Sequence, residues 1–409
     1  EQTLDFFEVS ESRGLSVRDF QASRFGFAYT NDFSTHSLNN LIEEALSSIL
    51  PLSPDASYAL PQIESQCKEK VDIYDNSLKQ IPDEKKIDIA KRLEKTAREY
   101  DQRIKKTRNV SYEEETFFVN LINSHNIEKS YEKTLVSCGI TLVSENNGES
   151  QMGYDFDFSH YFSNLDYKKV GENAAKKAVD MLGATTISSL QCPIVLNNEV
   201  ASQFLAVLAS SFLSENVEKE KSLLKGKLGK PIFPPFLEII DNGLLPDGIM
   251  TSPFDDEGVN RKENVLVRDK KVRGFLYDTF WAVKKGLPST GNSKRSGMQT
   301  PPGVGISNLF IKKGDSSQKE ILGSHKRALF ITDVMGIHTA NPISGDFSVG
   351  VSGFWIENGQ VCYPVRGVVF TGNILELFVR IEQIGDDLRF FGKVGSPSLS
   401  LRAMDICGK

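Results

Sequence analysis

Trp355-Ile356-Glu357-Asn358-Gly359-Gln360-Val361 decides the fold class. A two-residue type I′ turn needs positive φ at both central positions, which Asn-Gly supplies, and the flanking residues alternate as paired strands do. The stretch reads as a β-hairpin. Around it, from Gln191 onward, the chain is punctuated by glycine and runs in short strand-like segments, predicting a mainly β C-terminal lobe. Two apolar stripes at helical spacing interrupt it. One is Val200, Phe204, Leu205, Leu208 and Phe212 within 199–214, and the other is Ile374, Leu377, Phe378, Ile381 and Ile384 within 373–384.

Toward the N-terminus the texture is mixed. Residues 5–30 read as short strands in a hairpin or meander, and 37–50 as a helix ended by Pro51 and Pro54. A longer helix is expected over 82–107, because Pro82 suits a first turn, Asp83 and Glu84 favour its positive end, and Ala90, Leu93, Ala97, Tyr100 and Ile104 form one stripe. Strands follow over 110–144, a turn at Asn146-Asn147-Gly148, and a helix over 167–182 closed by Gly183. At 409 residues the chain is too long for one core. The expectation is an α+β protein of two domains: an N-terminal α/β sandwich-like lobe, 1–185, and a β-rich C-terminal lobe, 186–409.

Composition narrows the partners. A net charge of −6 argues against a binder of phosphate backbones, and the lysines of 85–95 alternate with Asp83, Glu84, Asp88 and Glu94 as on a solvated helix face. Cys67, Cys138, Cys192, Cys362 and Cys407 are odd in number, far apart and never spaced as CxxC, which fits reduced cytoplasmic thiols. No run is long and apolar enough for a membrane span, and Glu1 to Ser10 lacks the order of a signal peptide. The chain begins without Met, so residues preceding Glu1 are expected.

The search for chemistry returns little. His36, His125, His160, His325 and His338 never fall within one helical turn of each other, so no HExxH zinc helix is present. Gly350-Val351-Ser352-Gly353 lacks the spacing of a nucleophile elbow, and Pro302-Gly303-Val304-Gly305 lacks the Lys and Ser/Thr of a phosphate loop. Phe254-Asp255-Asp256-Glu257-Gly258 is acidic without a calcium-loop pattern, and is read as a turn that orders nearby backbone. The densest cluster of functional side chains is His338, Asn341, Ser344 and Asp346 within 336–348. It suits a polar pocket for a peptide or carboxylate, and equally an Asx-rich loop that hydrogen-bonds itself.

Several ordered stretches resemble one known family, TldD/PmbA, whose members also carry the name modulator of DNA gyrase. They include Ser252-Pro-Phe-Asp255-Asp-Glu257-Gly258, Lys271-Val-Arg-Gly274, Leu287-Pro-Ser-Thr290-Gly291-Asn292, Asp333-Val-Met-Gly336-Ile-His338, Ser344-Gly345-Asp346, Gly353-Phe-Trp355, Tyr363-Pro364-Val365, Gly372-Asn373 and Gly385-Asp386-Asp387. Ser12-Arg-Gly14 and Arg24-Phe-Gly26 extend the likeness to the first lobe. In the TldD branch the family places HExxxH on a helix near the start of the second lobe, with zinc on its histidines. Laid on that pattern without gaps, this chain has Ala206, Val207 and Ser211 at the His, Glu and His positions. Ala and Val have no lone pair, and neutral Ser is a poor zinc ligand. Nor does Gly392-Lys-Val-Gly395-Ser-Pro-Ser398 contain the late cysteine of that branch.

The resemblance therefore implies the PmbA, or TldE, side: a pseudo-enzyme with no catalytic or metal residue of its own. It would pair with a TldD-type protomer that carries the zinc, in a cytoplasmic peptidase for short unfolded or modified peptides. A homodimeric peptide-binding or scaffold protein is the alternative. A third reading places a different catalytic centre at His338, Ser344 and Asp346. Acidic charge gives a gyrase role no physical support.

Overall fold

The computed structural model describes residues 3–51, 53–61 and 71–409; Glu1 and Cys67, named above, lie outside them. The first strands, β1 (Leu15–Gln21) and β2 (Arg24–Thr30), form an antiparallel hairpin covered by α1 (Thr35–Ser48). This unit has its own small core of Ala28, Leu41 and Ala45.

A second unit follows. Helix α2 (Asp83–Glu99) precedes a three-stranded antiparallel sheet of β3 (Ile104–Ile122), β4 (Glu128–Asn146) and β5 (Glu149–Ser159), and α3 (Tyr167–Asp180) completes it. Leu93 and Ala97 meet Val136, Ile140, Leu142, Val170, Ala174 and Ala178 in its core. The helices lie close on the sheet: a Cβ at Gly153 would stand 2.0 Å from the carbonyl oxygen of Ala174, so no other residue fits there. The N-terminal lobe thus has two core clusters, one under the β1–β2 hairpin and one between α2, α3 and the three-stranded sheet.

The remainder begins with β6 (Leu190–Leu196), α4 (Asn198–Ala209), α5 (Ser214–Glu218), β7 (Ile239–Asn242), β8 (Glu263–Arg268) and β9 (Lys271–Val272). It continues through α6 (Thr279–Lys285), β10 (Ser293–Lys294), β11 (Gly303–Val304), β12 (Leu309–Ile311), α7 (Gln318–Gly323), β13 (Arg327–Met335), β14 (Asp346–Glu357) and β15 (Gln360–Asn373). It ends with α8 (Ile374–Val379), β16 (Ile381–Ile384), β17 (Arg389–Phe391), β18 (Val394–Ser396) and β19 (Leu399–Cys407). One sheet runs β15-β14-β13-β6-β19-β16, and pairing of Val369 and Phe370 with Cys407 and Ile406 closes it into a barrel. The other runs β17-β18-β12-β7-β8-β9. The α+β class with a β-rich C-terminal region holds.

The deciding hairpin forms as read. Asn358 and Gly359 turn with φ of 50° and 75° between β14 and β15. Three helices are shorter than expected. The stripe over 82–107 stops at Glu99, because the Asp101 carboxylate turns the chain by accepting from Arg103 N at 2.8 Å, and Ile104 opens β3. The 199–214 helix ends at Ala209, continues as a 3₁₀ turn over Ser210–Phe212 and restarts as α5. In 373–384 only Ile374–Val379 is helical; Ile381 and Ile384 pair with Leu401 and Leu399 of β19, where a short apolar run serves a strand equally well.

Candidate functional site around helix α4

Helix α4 starts where Asn197 Oδ1 accepts from Val200 N at 2.8 Å, an N-cap that also fixes the exit from β6. It sits between the barrel and the second sheet, touching β6 and β13 on one side and β12, β17 and β18 on the other. Val200, Phe204, Leu205 and Leu208 are fully buried, and the Phe204 ring meets Phe347 and Phe370 edge-on at 5.0 and 5.8 Å. One narrow stripe faces outward, with Ala206 exposed and Gln203 half-buried, while the half-buried Val207 packs against the core.

The three aligned positions do not converge. Ser211, in the 3₁₀ turn beyond α4, points into the interior, where its Oγ accepts from Leu223 N at 3.3 Å and its carbonyl from Ser222 Oγ at 2.7 Å. The late glycine-rich stretch does come to α4, as the β17–β18 hairpin. Its two serines are already engaged: Ser396 Oγ donates to Pro397 O, and Ser398 donates through N and Oγ to the two Asp387 oxygens. Zinc wants thiolate, imidazole or carboxylate donors. Methyl, isopropyl and an inward-facing hydroxyl do not fit it, and no group of three or more His, Cys, Asp or Glu side chains is placed to hold a metal among the described residues.

Beside the start of α4 lies an ion cluster that sequence reasoning missed. Asp155 of β5, almost fully buried, pairs with Arg389 of β17 at 3.0 Å and accepts from Asn173 at 2.9 Å. Lys177 of α3 reaches Glu199 of α4 at 2.7 Å and Asp155 at 3.5 Å. Four separate elements contribute, so no spacing along the chain could have revealed it. It ties the three-stranded sheet of β3, β4 and β5 to the β-rich part at the edge of the helix.

The acidic stretch of 252–261 folds into a closed network. Asp255 Oδ1 accepts from Glu257 N and Val259 N at 2.9 and 3.0 Å, and Oδ2 from Ser293 N at 2.9 Å. Burial and the neighbouring Glu257 push its pKa well above the ordinary carboxylate value, while Arg261 and these N–H groups oppose the shift. Glu257 accepts from Arg18 at 2.8 Å and from Thr279 N at 2.9 Å. Asn292 donates to Asp241 at 2.7 Å, and Ser307 donates to both Asp241 oxygens at 2.7 Å. Both carboxylate oxygens of Asp255, Glu257 and Asp241 are therefore taken by protein donors, and the arrangement orders backbone.

The 336–348 cluster lies on the surface. Asn341 Oδ1 accepts from Ile343 N and Ser344 N, and Asn373 Nδ2 donates to Ser344 O and Asp346 Oδ1. His338, Asn341, Ser344 and Asp346 are all exposed, and the described hydrogen bonds do not join His338 to the other three.

Comparison with known proteins covers nearly the whole chain. The family description PmbA/TldA metallopeptidase C-terminal domain matches residues 189–408, the central domain of the same family 76–182, and its domain 1 2–49. Metalloprotease PmbA of Escherichia coli O157:H7 is 27% identical over 403 residues, 98% of this chain and 87% of that relative. A metalloprotease TldD homolog of Haemophilus influenzae is 26% identical over 398 residues, 91% of this chain and 79% of the relative. A crystal structure from Thermotoga maritima MSB8, of a protein named for modulation of a DNA gyrase, superposes with a TM-score of 0.89 at 25% identity, covering 97% of this chain and 89% of that one.

Proposed function

This chain belongs to the PmbA/TldD metallopeptidase family, and from that premise we propose that it is the zinc-less, PmbA/TldE-type subunit of a peptidase whose metal resides in a TldD-type partner. The observation that carries this reading is the donor chemistry at α4. Ala206 and Val207 offer carbon where a metal-activated water would need nitrogen and carboxylate oxygen, and Ser211 faces the core. No step of peptide hydrolysis is routed through this chain. Its contribution is shape: α4 presents a short uncharged stripe, Gln203 and Ala206, beside the Lys177–Glu199–Asp155–Arg389 cluster that holds the two lobes in register.

We place the working division between lobes near residue 185, after α3 and before β6, on the separation of the core of 78–179 from that of 192–406. A cytoplasmic setting suits the free Cys138, Cys192, Cys362 and Cys407. No helix among the described residues is long and apolar enough to cross a membrane.

Co-expression with a TldD-type chain, size exclusion, elemental analysis and assays on short unfolded peptides test the reading. The expected result is a heteromeric complex with chelator-sensitive activity and zinc only in the partner. Stoichiometric zinc in this chain alone, or a homodimer that neither binds the partner nor alters its activity, would sink it.

A further inference from the structure

The chain is acidic overall, at −6, yet two segments run strongly the other way. Residues 219–230 carry five lysines against one glutamate, and 268–273 carry four cations against one aspartate. The fold brings them together at the β9 edge of the second sheet. Leu228 bridges to Val272, Pro231 bridges to Lys271, and the N–H groups of Ile232 and Phe233 both donate to the Lys270 carbonyl.

Some of this charge is satisfied locally. Lys219, Lys225, Arg268 and Arg273 pair with Glu215, Glu220, Glu238 and Asp269. Lys221, Lys227, Lys230, Lys270 and Lys271 pair with no carboxylate among the described residues, and all but the half-buried Lys227 are exposed. Five uncompensated ammonium groups repel one another, and an anionic partner relieves that repulsion.

The same stretch of chain also forms an apolar feature. Ile232, Phe233, Pro234, Pro235 and Phe236 wall a shallow groove of about 460 Å³. Phe236 is 48% exposed, and Leu228, among the lysines, is 58% exposed. On the groove's other wall Glu382 and Arg402 face each other at 3.9 Å and cancel in charge.

We propose that this edge is a docking surface for an acidic polypeptide segment bearing apolar side chains, its carboxylates on the lysines and its apolar residues in the groove. A phosphate backbone would leave the groove unused, and the guanidinium forks best suited to phosphate are here tied to carboxylates. A lipid surface presents no side chain to enter a concavity. The assignment rests on charge and shape and stands apart from the reading of α4.

The test is fluorescence anisotropy with a labelled Asp/Glu-rich peptide containing Leu and Phe, against the same peptide with Asn and Gln in place of the acids. Binding is expected for the acidic peptide alone, weakening by about tenfold between about 50 and about 300 mM salt. The surface variant K227E/K230E/K271E should lose at least about tenfold, and F236A several-fold, with unchanged melting curves. Equal binding of the amide peptide, undiminished binding by the triple variant, or no binding of either peptide overturns the proposal. So does lysine-dependent binding only of single-stranded DNA or of phosphatidylserine vesicles.

Discussion

His160 Nε2 lies 3.1 Å from the carbonyl oxygen of Gly248, joining the end of the central sheet to the first loop of the second sheet. On the other side of the ring, Nδ1 lies 2.7 Å from Thr134 O. The imidazole is fully buried. Its neighbours repeat the theme: Lys133 donates to Ile249 O, and Lys129 donates to Gly258 O at 2.7 Å. Two lysines of this unit thus hold backbone carbonyls of 249–258, with the His160 ring against the carbonyl of Gly248 at the head of the segment that leads into the Asp255 network.

His160→Ala should cost about 2–4 kcal/mol, because it leaves one buried carbonyl without the donor that the neutral ring's single N–H supplies, and opens a cavity. A pH signature distinguishes this from simple loss of packing. Burial, reinforced by Lys133, holds the ring's pKa below its ordinary 6.5. Between the folded value and 6.5 the unfolded chain takes up a proton that the folded chain refuses, so stability falls as pH drops through that interval. Denaturant melts at pH 7.5 and at mildly acidic pH should show this loss in the parent protein and a smaller one in the variant. Equal losses would remove His160 from the account.

Asp278 supplies the opposite sign. It caps α6 by accepting from Trp281 N at 2.9 Å, and burial followed by the charge of Glu257 raises its pKa from 3.8 to about 7. Across that window the folded protein binds the extra proton, so Asp278 costs stability progressively as pH rises. Asp278→Asn keeps a capping oxygen and removes the charge. The variant is expected to gain in melting temperature relative to the parent at pH 7.5 and to match it near pH 4; a uniform loss at both would show that the charge is needed.

The N-terminal hairpin is held by a pair that only the folded chain brings together. Arg18 and Glu257 meet at 2.8 Å with side-chain exposures of 14% and 6%, enough burial for an unpaired survivor to be expensive. Arg18→Met should cost about 3 kcal/mol and open the first fifty residues to protease, whereas R18M/E257Q should recover much of the loss. If the double variant is as protease-sensitive as the single one, the hairpin is anchored by something else, the Arg295–Ser16 bond at 2.8 Å being the next place to look.

These pairs also mark the limit of what sequence could tell. Asn358-Gly359 was legible because turn chemistry is local, and the Phe204 and Leu208 stripe because a helix buries residues at fixed spacing. Periodicity failed at 381–384, where four residues cannot separate helix from strand and the decision fell to β19. The Asp155 cluster and the His160 bridge were invisible for another reason: their members lie tens to hundreds of residues apart and meet only through tertiary folding. The 252–261 motif was visible as a motif, but its hydrogen bonds to Ser293 and Arg18 were not.

A206H/V207E/S211H would write the missing HExxxH into α4, and on sequence alone it should restore a metal site. The structure predicts failure. Ala206 is exposed and could carry an imidazole, but Ser211 is fully buried beyond the end of the α-helix, where its hydroxyl accepts from Leu223 N. A histidine there must displace packed neighbours, at a cost of about 1–3 kcal/mol. Even if accommodated, it points away from Ala206's open stripe, and the β17–β18 hairpin offers Ser396 and Ser398 already bonded to Pro397 and Asp387. Elemental analysis should find well under one zinc per chain and circular dichroism a lowered melting temperature. A stable triple variant holding one equivalent of zinc would mean that α4 retains the geometry of a metal helix and lacks only its ligands.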